Sequence, residues 1–135
     1  MADVQKALDD GVFAVLKADS TLRPYGIYNT SVPEWVDRDL PVIVFQLMDA
    51  PVESTFGSRG FLCEVMVKAI SRSPWPKEAS TISSLIDTVM EDASLTVSGF
   101  THLWSVRNGS IYFQEQINGI NFVHSGGIWE MWEAA

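Results

Sequence analysis

Cysteine occurs once in 135 residues, at position 63, which excludes an internal disulfide. Basic residues are scarce too: 9 Lys and Arg stand against 17 Asp and Glu, a formal net charge of −8. Non-specific nucleic-acid binding needs cations to neutralise phosphates, so that class of function is not expected. Charged residues of both signs make up 19% of the chain, below the usual share of about 25%. With 47% hydrophobic residues, this balance excludes intrinsic disorder. No apolar run approaches the roughly 18 residues that span a bilayer. Met1-Ala2-Asp3-Val4 is acidic and lacks the basic n-region and apolar h-region of a secretory signal. The expectation is a soluble protein made in a cytoplasm. Catalytic motifs are missing as well: there is no G-x-S-x-G elbow, Walker loop, H-E-x-x-H or G-x-G-x-x-G. Gly57-Ser58-Arg59-Gly60 reads as a turn. Neither an enzymatic activity nor a cofactor is expected.

Aromatic residues, by contrast, are plentiful: 5 Trp, 3 Tyr and 7 Phe. Low charge combined with this much aromatic surface implies that other protein covers part of it. The length suits one domain spanning 1–135.

Val4, Ala7, Leu8, Val12, Val15 and Leu16 recur at helical spacing, which predicts an amphipathic helix over residues 3–18. A short β-like piece follows at Gly26-Ile27-Tyr28. Val42 to Leu47, β-branched and apolar on both faces, predicts a central strand. Residues 49–60 are polar and read as a protruding loop or twisted hairpin arm, after which Phe61–Ile70 alternates as a second strand. Ser73-Pro74-Trp75-Pro76 introduces a helix over about 77–92, with Ile82, Leu85, Ile86, Val89 and Met90 as its stripe. Asn108-Gly109, Asn118-Gly119 and Gly126-Gly127 read as turns, implying a four-strand antiparallel meander over 100–133. In that register Phe100, Trp104, Val106, Ile111, Phe113, Ile117, Ile120 and Phe122 share one face, taken as the core face. Thr101, Ser105, Arg107, Tyr112, Gln114, Gln116, Asn121 and Ser125 share the other. The fold class is α+β, a mostly antiparallel sheet with two helices packed on one face and this meander at its C-terminal end.

The same register sets His102 opposite Glu115 and His124 one diagonal step away. Two His and a carboxylate on one sheet face are the donors of a non-haem iron site. A hydrogen-bonded His–Glu pair at the edge of the core is the plainer reading, so no metal is expected and His102, Glu115 and His124 are candidates only. Cys63 reads as a buried, inert thiol. Trp104 and Trp129 are expected to pack inside, while Trp132 points outward and Trp35 and Trp75 sit in loops beside prolines. Charge is uneven: residues 78–99 carry four acids and no base, so an acidic helix is available to meet a slightly basic arm on a neighbouring copy.

Taken in order, the elements resemble a known family. Ala18-Asp19-Ser20-Thr21-Leu22 closes the first helix, followed by Gly26-Ile27-Tyr28-Asn29, Val32-Pro33 and Leu40-Pro41-Val42-Ile43-Val44-Phe45. Next come a long β-arm, a helix on Lys77-Glu78-Ala79 with Ile82 and Ile86, a short Leu95 segment and a closing meander. This pattern resembles the tail-completion proteins of tailed bacteriophages, which include tail terminators and head–tail joining proteins. The resemblance implies a non-enzymatic virion protein of the tail or neck, assembled in the host bacterial cytoplasm. It would form a ring, usually a homohexamer, on the last ring of the major tail tube protein, stop elongation and offer its other face to the head–tail connector. DNA would pass through the lumen without specific binding. Loop exposure nominates Trp35, Phe56, Arg59, Trp75 and Trp132 as interface residues. Two alternatives stand beside this reading: a connector-side head-completion protein of similar fold, and an α+β domain that binds a small molecule in a cavity between sheet and helices.

Overall fold

A computed structural model describes residues 4–31, 41–55, 58–72, 75–91 and 93–135. Helix α1 spans Val4–Ala18 and buries Val4, Leu8, Val12 and Leu16, one residue per turn along a single stripe. Its last carbonyls are answered by Arg23, whose guanidinium donates to the oxygens of Lys17 (3.2 Å) and Ala18 (3.0 Å). Helix α2, Lys77–Met90, starts at Pro76 and buries Ala79, Ile82, Ser83, Ile86 and Met90. Strands β1 (Gly26–Asn29), β2 (Val42–Asp49), β3 (Val52–Thr55), β4 (Ser58–Ser71), β5 (Thr101–Ile117) and β6 (Ile120–Ala134) form one sheet in the order β1-β2-β4-β6-β5, with β3 beside β4. The β1–β2 pair is parallel and the other pairings are antiparallel. The α+β class, the mostly antiparallel sheet and the two helices agree with the sequence expectation. Among the described residues no helix is long and apolar enough to cross a membrane.

Both helices lie on one face of the sheet, over Ile43, Phe45, Phe61, Cys63, Val65, Val67, Ala69, Trp129 and Met131. Between the layers Leu8, Leu16, Ile43, Ile82, Ile86, Met90, Trp129 and Met131 are fully buried. Residues 52–55 and 58–61 form a two-stranded arm, β3 pairing with the start of β4 from Val52↔Phe61 to Thr55↔Ser58.

The C-terminal third corrects the expected four-strand meander. Only Asn118-Gly119 is a turn, with φ of 52° and 78° at its two positions. Asn108-Gly109 lies inside β5, where the register slips between Arg107 and Gly109, so Asn108 is the extra residue of a bulge. Gly126-Gly127 lies inside β6. A Cβ on Gly126 would sit 2.2 Å from the Val67 carbonyl oxygen, so this glycine serves close strand packing rather than chain reversal. The result is two long strands of 17 and 15 residues.

A second correction concerns the faces. The apolar set Trp104, Val106, Ile111, Phe113, Ile117, Ile120 and Phe122 does share one side, because the bulges reproduce the parity that a hairpin would have set. That side faces away from the helices. Trp129 and Met131 alternate onto the helix side of β6, while Ile128 and Trp132 fall opposite them with Trp104.

Candidate interaction surface

The face of the sheet opposite α1 and α2 is the outstanding surface among the described residues. A sheet packed on one side normally presents polar residues on the other. Here β4 contributes Leu62, Met66 and Ile70, β6 contributes Phe122, Ile128 and Trp132, and β5 contributes Trp104, Val106, Ile111 and Phe113. Trp104, Val106 and Phe113 are 37–41% exposed, and the rest of this set is half-buried. At the β2 end of the same face Val42 and Val44 are buried, so the face opens from β4 toward β5. The β5–β6 hairpin extends beyond β4, which pairs with β6 only as far as Ser71↔Val123, and it ends in exposed Ile117 and Ile120.

Charged groups interrupt this face at two places. Near the hairpin tip His124 is 5% exposed, stacks on Phe113 (ring centroids 4.1 Å apart) and bonds Glu115 through Nε2 at 2.7 Å. The Lys68 ammonium sits 5.1 Å over the same Phe113 ring. Burial holds the His124 pKa below its ordinary value, against the hydrogen bond it donates to Glu115, and the charge of Lys68 adds to the lowering. Toward the other end Asp49, Glu64 and Glu130 occupy consecutive register positions across β2, β4 and β6. The Asn108 amide, displaced by the bulge, reaches Glu64 (3.4 Å) and Glu130 (3.5 Å).

His102 does not join His124 and Glu115, contrary to the sequence register. The bulges carry it to the helix side, opposite Glu133. There Nδ1 contacts the Glu133 carboxyl and Nε2 donates to the Ala93 carbonyl at 2.9 Å. Glu133 is fully buried, its pKa raised by burial, and its Oε2 has no partner among the described residues. The three metal candidates therefore lie on opposite faces of the sheet, and no metal-holding group occurs among the described residues. Sequence reasoning missed Glu133; its alternation with Met131 and Trp129 along β6 was the available signal. Cys63 is buried as expected, its thiol pushed up to about 12 chiefly by desolvation, with Glu133 and Asp49 adding negative charge nearby.

Arg107 joins α2 to the sheet. Its guanidinium bonds Asp87 (2.9 Å), Ser110 (3.1 Å) and the Gly126 (3.2 Å) and Gly109 (3.3 Å) carbonyls and lies 5.6 Å from the Trp129 ring, while the Arg107 backbone N–H donates to Glu91 (3.0 Å). Glu78 accepts from Ser71. The acids of α2 are thus answered within the chain, which weakens the pairing of this helix with a basic arm.

Of the nominated interface residues, Trp35 and Phe56 lie outside the described residues. Trp75 is 72% exposed, beside a groove lined by Tyr25, Lys77, Glu78, Thr81 and Ile82. Arg59 is exposed on the arm, and Trp132 is half-buried on the open face against Trp104.

No family model matches this sequence, and no curated protein matches it. Among solved structures, a chain from "Virion of native gene transfer agent (GTA) particle" superposes with a TM-score of 0.78 at 14% identity, covering 100% of both chains. From end to end, this polypeptide shares the fold of that chain.

Proposed function

We propose that this chain is a structural virion protein of the tail-completion kind: one domain, 1–135, acting through its surfaces and transforming no substrate. The observation that carries the reading is the fold match to a chain of a virion particle, complete over both lengths. Element order agrees with the tail-completion resemblance, and an apolar sheet face stands ready for other protein.

In this reading, copies close into a homohexameric ring on the last ring of the tail tube. One ring face imitates the growing tube end, and the other recruits no further tube subunit and receives the head connector. Trp35, Phe56, Arg59, Trp75 and Trp132 belong to these contacts. A net charge of −8 suits a lumen through which DNA passes without being gripped by its phosphates. Electron microscopy of particles made with and without the chain tests the proposal. Tails of uncontrolled length, or tails and heads left unjoined, are expected in its absence; normal joined particles overturn it.

A further inference from the structure

The open face of the sheet carries two features that one copy cannot satisfy. The first is apolar area. With roughly 200 Å² for a large apolar side chain, Trp104, Val106, Phe113, Ile117 and Ile120, at 37–50% exposure, leave about 400 Å² open. The half-buried Leu62, Met66, Ile70, Ile128 and Trp132 bring the face toward the roughly 800 Å² that each partner contributes to a stable interface. The second feature is the row of carboxylates. Glu64 and Glu130 face each other across the β4–β6 ladder, with Asp49 next in register. Like charges directly opposite are unfavourable, and the Asn108 amide, neutral and at long range, offsets little of this.

A complement stands on the same chain. Arg59, on the arm, is exposed and has no ion-pair or hydrogen-bond partner for its side chain among the described residues. It lies on the same strand as Glu64 but five residues away, and successive residues point to opposite faces, so it is directed to the other side of the sheet from Glu64. One copy therefore presents the cation where it cannot meet its own carboxylate row, and a second copy can.

We infer that the open β4–β6–β5 face binds a second copy of this chain head to tail, the Arg59 arm of one subunit seated on the Glu64–Glu130 row of the next. The head-to-tail sense rests on the ring reading above. A heterologous contact of this kind closes into a ring or continues as a filament, whereas a two-fold contact stops at a dimer.

Disulfide trapping of the full-length chain tests it. The double variant Arg59→Cys/Glu64→Cys should give, on mild oxidation, a reducible ladder of species larger than dimers. Each single variant should give no such ladder, and buried Cys63 stays unreactive. Charge reversal supplies the second arm: Arg59→Glu should lower self-association at least tenfold by sedimentation, and Arg59→Glu/Glu64→Arg should restore it. Val106→Asp, at an exposed position, should abolish it while circular dichroism shows a folded chain. A wild-type chain monomeric up to about 1 mM overturns the inference, as does a ladder that stops at dimers or an Arg59→Glu variant that associates normally. If particles still need the chain for tails of normal length, the virion reading survives that failure.

Discussion

Replacing glycines 126, 109 and 119 one at a time by alanine tests the C-terminal topology with a single methyl group. At Gly126 the new Cβ would lie 2.2 Å from the Val67 oxygen, 2.5 Å from Lys68 Cα and 2.6 Å from Lys68 Cβ. Ordinary carbon contacts need about 3.5–4.0 Å, so β4 and β6 would have to separate by more than an ångström. The obstructing atoms are mostly backbone and cannot swing aside. Overpacking costs about 1–3 kcal/mol, and each ladder bond lost adds about 1 kcal/mol. The expected loss is about 3 kcal/mol, a large share of an ordinary stability of about 5–15 kcal/mol. At Gly109 the nearest atom is Ile128 Cδ1 at 3.6 Å and φ is not positive, so alanine should be neutral or stabilise by up to about 0.5 kcal/mol. Gly119, at φ 78°, should lose about 1 kcal/mol. Urea unfolding followed by tryptophan fluorescence, with equal slopes, reads all three. A Gly109→Ala loss equal to that of Gly119→Ala would restore a hairpin at 108–109, and a harmless Gly126→Ala would refute the close β4–β6 approach.

Further expectations follow from the polar contacts. His102→Ala leaves a fully buried Glu133 without its partner and should cost about 3 kcal/mol; in a Glu133→Leu background the same change should cost much less, as a double-mutant cycle would show. Arg107→Ala removes the Asp87 ion pair and three further bonds at a third-exposed side chain, and chemical denaturation should register about 1–2 kcal/mol. Folded His124 takes up its proton below 6.5, so the unfolded chain binds more protons as pH falls from 6.5, and stability should decline there. His124→Gln, which keeps a donor toward Glu115, should flatten that slope between pH 7 and pH 5.5.

Local signals were legible in the sequence wherever one element answered one pattern. The stripes of both helices, the β2 and β4 strands and the Asn118-Gly119 turn appear where spacing and turn chemistry place them. Asn108-Gly109 misled because the dipeptide that suits a type I′ turn also suits a bulge, and a long partner strand decides between them. Gly126-Gly127 misled for a related reason: a missing Cβ serves close approach as well as chain reversal, and only the neighbouring backbone of β4 distinguishes the two. His102 followed the wrong turn to the wrong partner, and the separate register slip between His102 and Trp104 moves its side chain to the other face.

The misassigned face carries a more general point. Alternation reports that Trp104, Val106, Ile111 and Phe113 need to leave water, and that much is correct. It carries no information about whether the cover comes from the chain's own helices or from a neighbour, because the burial of apolar area contributes alike in both cases. Helices settle the question only by count. Among the described residues, two helices of 15 and 14 residues cover one side of this sheet and none lies on the other. Among the described residues, two apolar sheet faces with helices over one leave the other as apolar surface open to further cover. Composition hinted at this in an excess of aromatics over charge, but the strands had to be placed before the hint acquired an address.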